Sequence, residues 1–408
     1  MTYSATRDSE QLRYLQADIA NFVLRYQSRP PGPNRRTIFL FPGGMGSQLL
    51  RARTPYQSGG PQNQTFLYDE VWLTPLTFLG DALTLKMHDV NGVYHDLDDR
   101  IIIPFGSVEL FGLTPYTRFV EWCEFNDIDW FIFGWDWRRR LEDTVDFFLN
   151  QFLTSFQQAC PGALQDFVLM GHSFGGMVVS LILQENNPVL ANITRAVTVA
   201  SPFYGYDGQI HRWFEGEQYL NHLGKQQVVE AIASFPGCYV LPYLDGPTFQ
   251  ANQVALGADP DCTLNAYPSH DFANGTQMVD PFNPGPNRYP QNIGFGMNEL
   301  QRGLQTYQKI AAGPQAQYAG RFFNIRGIQS SPMTTPGSIS WRLLSGPNNP
   351  NTSPIGTGPG GKGDGTLPAW STRLVTLPGS QVVRVLGYID HMFMMEEDAT
   401  HQAIAQVL

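Results

Sequence analysis

"FVLMGHSFGGMVVSLIL", residues 167–183, decides how the chain is read. Four apolar residues, a Gly-His-Ser-Phe-Gly-Gly turn and a second apolar run predict a buried strand, a sharp turn and a helix, with Ser173 at the apex. The glycines have a steric cause. Strand and helix approach so closely that the positions two before and two after the serine, Gly171 and Gly175, leave no room for bulky side chains. Such a turn lifts the Ser173 hydroxyl above the carboxyl end of a sheet.

A serine hydroxyl is a poor nucleophile until a histidine takes its proton and a carboxylate holds the resulting imidazolium. In strand–turn–helix sites of this kind the acid and then the histidine follow the serine along the chain. Of eight histidines only His391 and His401 lie late. His391 follows the apolar run "VVRVLGY" (382–388), where a loop at the end of a last strand faces the serine, whereas His401 sits in a terminal helix pattern and is expected on the surface. Asp364, in "GKGDGTLP", precedes His391 by 27 residues and is the expected acid; Asp390, next to the histidine, points elsewhere on an extended loop. Two backbone amides are expected to hold the developing oxyanion: that of Phe174, directly after the serine, and that of Gly44, in the turn "FLFPGGMGSQLL" (39–50) after an early strand.

Five further apolar runs bounded by turn residues read as buried strands: 37–41, 130–135, 196–200, 321–327 and 382–388. Helix patterns lie between several of them, at 114–126, 141–158 and 175–186, so the fold class is α/β, a mostly parallel sheet with helices on both faces. Leu12, Leu15, Ile19, Phe22 and Tyr26 recur at helical spacing and place a helix in an N-terminal segment, 1–34, packed on the core. The core then runs over 35–204, with an insertion at about 52–112, and resumes over 320–408; residues 205–319, rich in Asn, Gln, Gly, Pro and Tyr, read as a cap or lid. The Gly/Pro/Asn-rich stretch 345–368 reads as a long loop, and its Gly356-x-Gly358-x-Gly360 has neither the leading strand nor the following helix of a phosphate loop.

Composition narrows the partners. Hydrophobic residues make up 42% of the 408 and charged ones only 15%, which implies a packed chain. The formal charge of −10 and a single basic cluster, Arg138-Arg139-Arg140, argue against nucleic acid and against electrostatic capture by anionic lipid, leaving transient hydrophobic contact with a lipid interface open. Four cysteines without C-x-x-C spacing exclude the zinc-ribbon and thioredoxin patterns; Cys123 and Cys160 read as buried thiols, Cys238 and Cys262 as a pair free to bridge or not. The N-terminus lacks the basic start and apolar block of a signal peptide, and no apolar run is long enough to span a membrane, so a cytoplasmic location is the default expectation. Oligomeric state has no signature in the sequence.

Taken in order, "FPGGMGSQL" (41–49), "VWLTPLTFLGDALTLKM" (71–87), "GWDWRRRL" (134–141), "GHSFGG" (171–176), "SPFYG" (201–205) and "GDGTLP" (363–368), with His391 beyond, resemble the motif series of the lecithin:cholesterol acyltransferase family, which includes lysosomal phospholipase and phospholipid:diacylglycerol acyltransferase relatives. The resemblance covers about 38–205 and 321–395. It implies an α/β-hydrolase fold with cap or lid insertions, Ser173, Asp364 and His391 as a triad, Gly44 and Phe174 as oxyanion donors, and Trp135 to Arg138 as supports beside the site. It implies a small-molecule or lipid ester as substrate, cleaved through an acyl-enzyme with no metal or organic cofactor, the acyl group passing to water or to a specific alcohol or amine. A hydrolase scaffold that only binds is the remaining alternative. Two departures bear on substrate: the early insertion lacks the family's cysteine pair, and residues 206–319 have no recognisable counterpart of the family's lid.

Overall fold

Six apolar runs form one sheet in the computed structural model, which describes residues 2–29, 32, 35–58, 66–72, 82–109, 114–206, 209, 212–213, 225–241, 259–262, 273–274, 277–278, 296–329, 339–342, 353–357, 362–387 and 389–408. The strands are Thr37–Phe41 (β1), Asp129–Ile132 (β2), Phe167–His172 (β3), Ile193–Val199 (β4), Phe322–Gln329 (β5) and Val382–Gly387 (β6). Their order across the sheet is β6-β5-β4-β3-β1-β2, and every pairing is parallel. Parallel neighbours need long crossovers, which the helices supply.

The sequence of β1 shows why both faces are covered. Side chains alternate along a strand: Phe39 and Phe41 enter one core, Ile38 and Leu40 the other, and all four are fully buried. The first face is covered by Tyr3–Ser28 (α1), Leu141–Phe147 (α2), Leu153–Ala159 (α3) and Phe174–Ile182 (α4). Thr117–Phe125 and the terminal Asp398–Val407 (α5) cover the second. A π-turn at Phe148–Phe152 joins α2 to α3, and Phe148, Phe152 and Phe156 all pack on Phe39, with ring centroids 4.9–6.3 Å away. From α1, Leu15, Ile19 and Phe22 are buried against this aromatic layer.

The early insertion is more ordered than its irregular sequence implies. Strands Gln48–Ala52, Tyr68–Trp72 and Ile102–Phe105 form an antiparallel sheet, and Met87–Val90 pairs with Val93–Asp96 in a hairpin. Asn91 and Gly92 make its two-residue turn with φ of 55° and 85°, the left-handed pair that matches the twist of a hairpin. One carboxylate ties this insertion to the core: the Asp96 side chain accepts from the Tyr3 hydroxyl (2.7 Å), the Ile102 amide (2.9 Å), Arg138 (2.8 Å) and Arg139 (2.9 Å). Burial pushes Asp96 up, but Arg139 and Arg138 outweigh it and hold the carboxyl at about 2. The basic cluster is therefore internal: Arg138 and Arg139 also pair with Asp136, and Arg140 with Glu299.

The pair that the sequence left open, Cys238 and Cys262, is free and buried; Cys262 lies 3.8 Å from an Arg326 nitrogen, and burial pushes both thiols up to about 12. Two expectations are corrected. The expected long loop at 345–368 contains a strand, Ser353–Thr357, paired antiparallel with Ile339–Arg342; Gly358, Gly360 and Gly361 lie outside the described residues. His401 is buried rather than at the surface, stacked on Trp122 and donating from Nε2 to the Met395 carbonyl at 2.8 Å, because its helix packs against Thr117–Phe125. Much of 205–319 lies outside the described residues; within it Lys225–Ala233 and Gly296–Ala311 are helices, and the Gly237 amide donates to the Arg138 carbonyl at 2.9 Å. Among the described residues no helix is long and apolar enough to cross a membrane.

Candidate active site

Ser173 stands between β3 and α4 with φ 52° and ψ −124°, a conformation sparsely populated for any residue with a side chain. Its amide donates to the Val199 carbonyl of β4 at 2.8 Å, which pins the turn over the sheet edge. A Cβ on Gly171 would lie 2.5 Å from the Gly175 backbone, and one on Gly175 2.2 Å from the Phe41 carbonyl oxygen. Packing thus forces glycine at both.

Two loops at the carboxyl ends of β5 and β6 bring the other groups. His391 Nε2 lies 2.8 Å from Ser173 Oγ, and His391 Nδ1 lies 2.7 Å from Asp364 Oδ2. With the carboxylate at Nδ1, the imidazole carries its proton there and turns the Nε2 lone pair to the serine hydroxyl. Asp364 is fully buried, and its Oδ1 accepts the Thr366 (3.1 Å) and Leu367 (2.7 Å) amides, which fixes Oδ2 towards the ring. Gln329, at the end of β5, joins the two loops: its amide donates to the Gly363 carbonyl and its Nε2 to the Ile389 carbonyl, both at 2.7 Å. Asp390 instead caps its own turn, accepting the Met392 amide.

Phe174 is the first residue of α4, so its amide has no carbonyl one turn earlier to bond and lies at the positive end of the helix. The turn after β1 lies against it: a Cβ on Gly43 would meet Ser173 Cβ at 3.1 Å, and one on Gly44 would meet the Phe174 ring at 3.2 Å. The Gly43 amide is engaged by the Tyr116 hydroxyl at 2.8 Å. Trp135 fixes the turn from behind, donating from Nε1 to the Pro42 carbonyl at 2.9 Å and packing edge-on against Phe174.

Sequence reasoning missed Tyr116 and His172. The chain of bonds runs from the Gly43 amide to the Tyr116 hydroxyl, from that hydroxyl to His172 Nδ1 (3.1 Å), and from His172 Nε2 to the His391 carbonyl (3.0 Å). It closes only if His172 is neutral, with its proton on Nε2. Burial first, then the neighbouring His391, pulls His172 down to about 3, so it stays neutral. The position of His172 inside the motif was visible in the sequence; Tyr116, 56 residues upstream, left no signal there.

The serine opens on a cavity of about 620 Å³. Its walls are mostly apolar, with Met45, Trp72, Trp137, Val228, Ile232 and Phe235 among them, and Met392 and Phe393 beside His391 stand 58% and 50% exposed.

No family model matches the chain, and no curated protein matches it. Among solved structures, a chain of the Tle4–Tli4 complex is similar at 12% identity, with 92% of this chain and 98% of that chain aligned and a TM-score of 0.48.

Proposed function

We propose that the chain is a serine hydrolase that cleaves hydrophobic carboxylic esters. The observation that carries the reading is the continuous hydrogen-bonded series Ser173, His391, Asp364 opening on a large, mostly apolar cavity. Ser173 Oγ bonds to the ester carbonyl carbon while its proton passes to His391 Nε2, and Asp364 balances the imidazolium. The carbonyl oxygen becomes an oxyanion that the Gly44 and Phe174 amides stabilise, worth about 3–4 kcal/mol per donor in comparable sites. Collapse breaks the ester C–O bond, and the leaving alkoxide takes the proton from His391. Water, deprotonated in turn by His391, then releases the carboxylic acid and restores the serine.

The cavity volume and lining suit an acyl chain of lipid length better than an acetyl group. We extend the proposal to kinship with the lecithin:cholesterol acyltransferase family, on the motif series and on the support that Trp135 gives the oxyanion turn. Rates on p-nitrophenyl esters from acetate to palmitate test the substrate class: kcat/KM should rise by at least tenfold towards medium and long chains. A flat or falling series would contradict it. Adding a primary alcohol or amine acceptor distinguishes acyl transfer, which yields the new ester or amide, from hydrolysis, which yields only the acid.

A further inference from the structure

The hairpin of the early insertion carries a second group of side chains with chemistry of its own. His88 and His95 are directly opposite in its register and project from one face. Met87, Tyr94 and Asp96 on the other face are buried, while on this face His88 is 45% and His95 14% exposed. Asp99, from the short turn Leu97–Asp99 that follows, approaches both: its Oδ1 is 2.6 Å from His95 Nδ1 and 3.9 Å from His88 Nε2. One ligand atom from each of the three residues lies within 4.8 Å of the other two. The His95 ring is stacked on Tyr3, centroids 3.9 Å apart, so its plane is set before any ligand arrives.

We propose that His88, His95 and Asp99 hold a divalent transition-metal ion of the zinc class, with water completing the coordination. Two imidazoles and a carboxylate are the donor set such an ion prefers. At metal–ligand lengths of about 2.0–2.2 Å the donor atoms of a tetrahedral site stand roughly 3.3 Å apart, so the wider gaps, 4.8 Å at most, close by up to about 1.5 Å while the 2.6 Å Asp99–His95 pair opens by about 0.7 Å, shifts within the reach of side-chain rotation. Binding requires neutral imidazoles and an ionised carboxylate, so acid releases the ion. None of the three lines the Ser173 cavity, and ester cleavage needs no contribution from them. The ion joins both strands of the hairpin to the following turn and, through Tyr3, to α1, beside the Asp96 anchor. Its role is to fasten the early insertion.

The test is calorimetric titration of the chelator-stripped full chain with zinc chloride at pH 7.5, with melting curves at rising zinc. One ion should bind per chain, with a melting temperature that climbs with zinc concentration. His88→Ala and Asp99→Asn should each weaken binding at least tenfold and flatten that climb. Both side chains are nearly half exposed, so the metal-free variants should melt within a few degrees of the native chain. Absence of zinc binding in the native chain, or equal binding in either variant, would overturn the proposal.

Discussion

Ser173 holds a left-handed φ of 52°, and the cost of that conformation is met by the hydrogen bond its amide donates to the Val199 carbonyl and by the tight approach of Gly171 and Gly175. Because the hydroxyl is half-buried on a turn fixed by backbone, Ser173→Ala should remove turnover and leave thermal unfolding unchanged. Asp364→Asn, which disturbs the tautomer of His391, should lower kcat on the order of 10⁴-fold; a near-native rate would move the role to another acid. His172 touches no substrate in this mechanism and acts as a positioning residue. His172→Gln can still accept from Tyr116 and donate to the His391 carbonyl, whereas His172→Phe does neither. The Phe variant should lose kcat at little cost in KM, and the Gln variant should recover most of the loss. Stability gives a second readout. A histidine whose folded value is lowered to about 3 binds its proton first in the unfolded chain, so stability is lost as pH falls below about 6.5. Between pH 6.5 and 4.5 in urea titrations, the native chain should therefore lose about 1.4 kcal/mol per pH unit relative to His172→Gln. Parallel curves would remove the neutral histidine from the account.

At the scale of elements, the strand–turn–helix around Ser173 was legible because its signal is local: an apolar run, obligatory glycines, another apolar run. The strands of the parallel sheet were legible for the same reason, since burial on both faces leaves few polar residues within them. The early insertion was not. Its strands are four or five residues long, and what holds them is Asp96, which pairs with arginines more than 40 residues away, a relation that no periodicity records. The same distance hid His88, His95 and Asp99, whose proximity depends on the hairpin turn at Asn91-Gly92. Asp96→Ala would leave Arg138 and Arg139 buried with half their counter-charge, and should cost about 3–5 kcal/mol in urea denaturation. Asp96 is held below its unfolded value, so its contribution is complete above about pH 4 and lost as pH falls towards 2. A loss under 1 kcal/mol for Asp96→Ala would show that Asp96 is not what holds the insertion.

For the whole molecule, the sheet delivers Ser173, Asp364 and His391 from the ends of three strands, while the insertions build the cavity around them. Met392 and Phe393 project at the cavity beside His391. An apolar rim of this kind suits a substrate presented by a lipid surface. The double change Met392→Ser, Phe393→Ser should lower the rate on emulsified or vesicle-borne ester several-fold and leave a short soluble ester nearly unaffected; equal losses on both would assign these side chains to the site itself. The catalytic account depends on one property, an activated serine at position 173. Intact-mass spectrometry after exposure to a fluorophosphonate, on the native chain and on Ser173→Ala, measures that property most directly. The account predicts a single adduct on the native chain and none on the variant; an unmodified native chain, or an adduct that persists in Ser173→Ala, would contradict it.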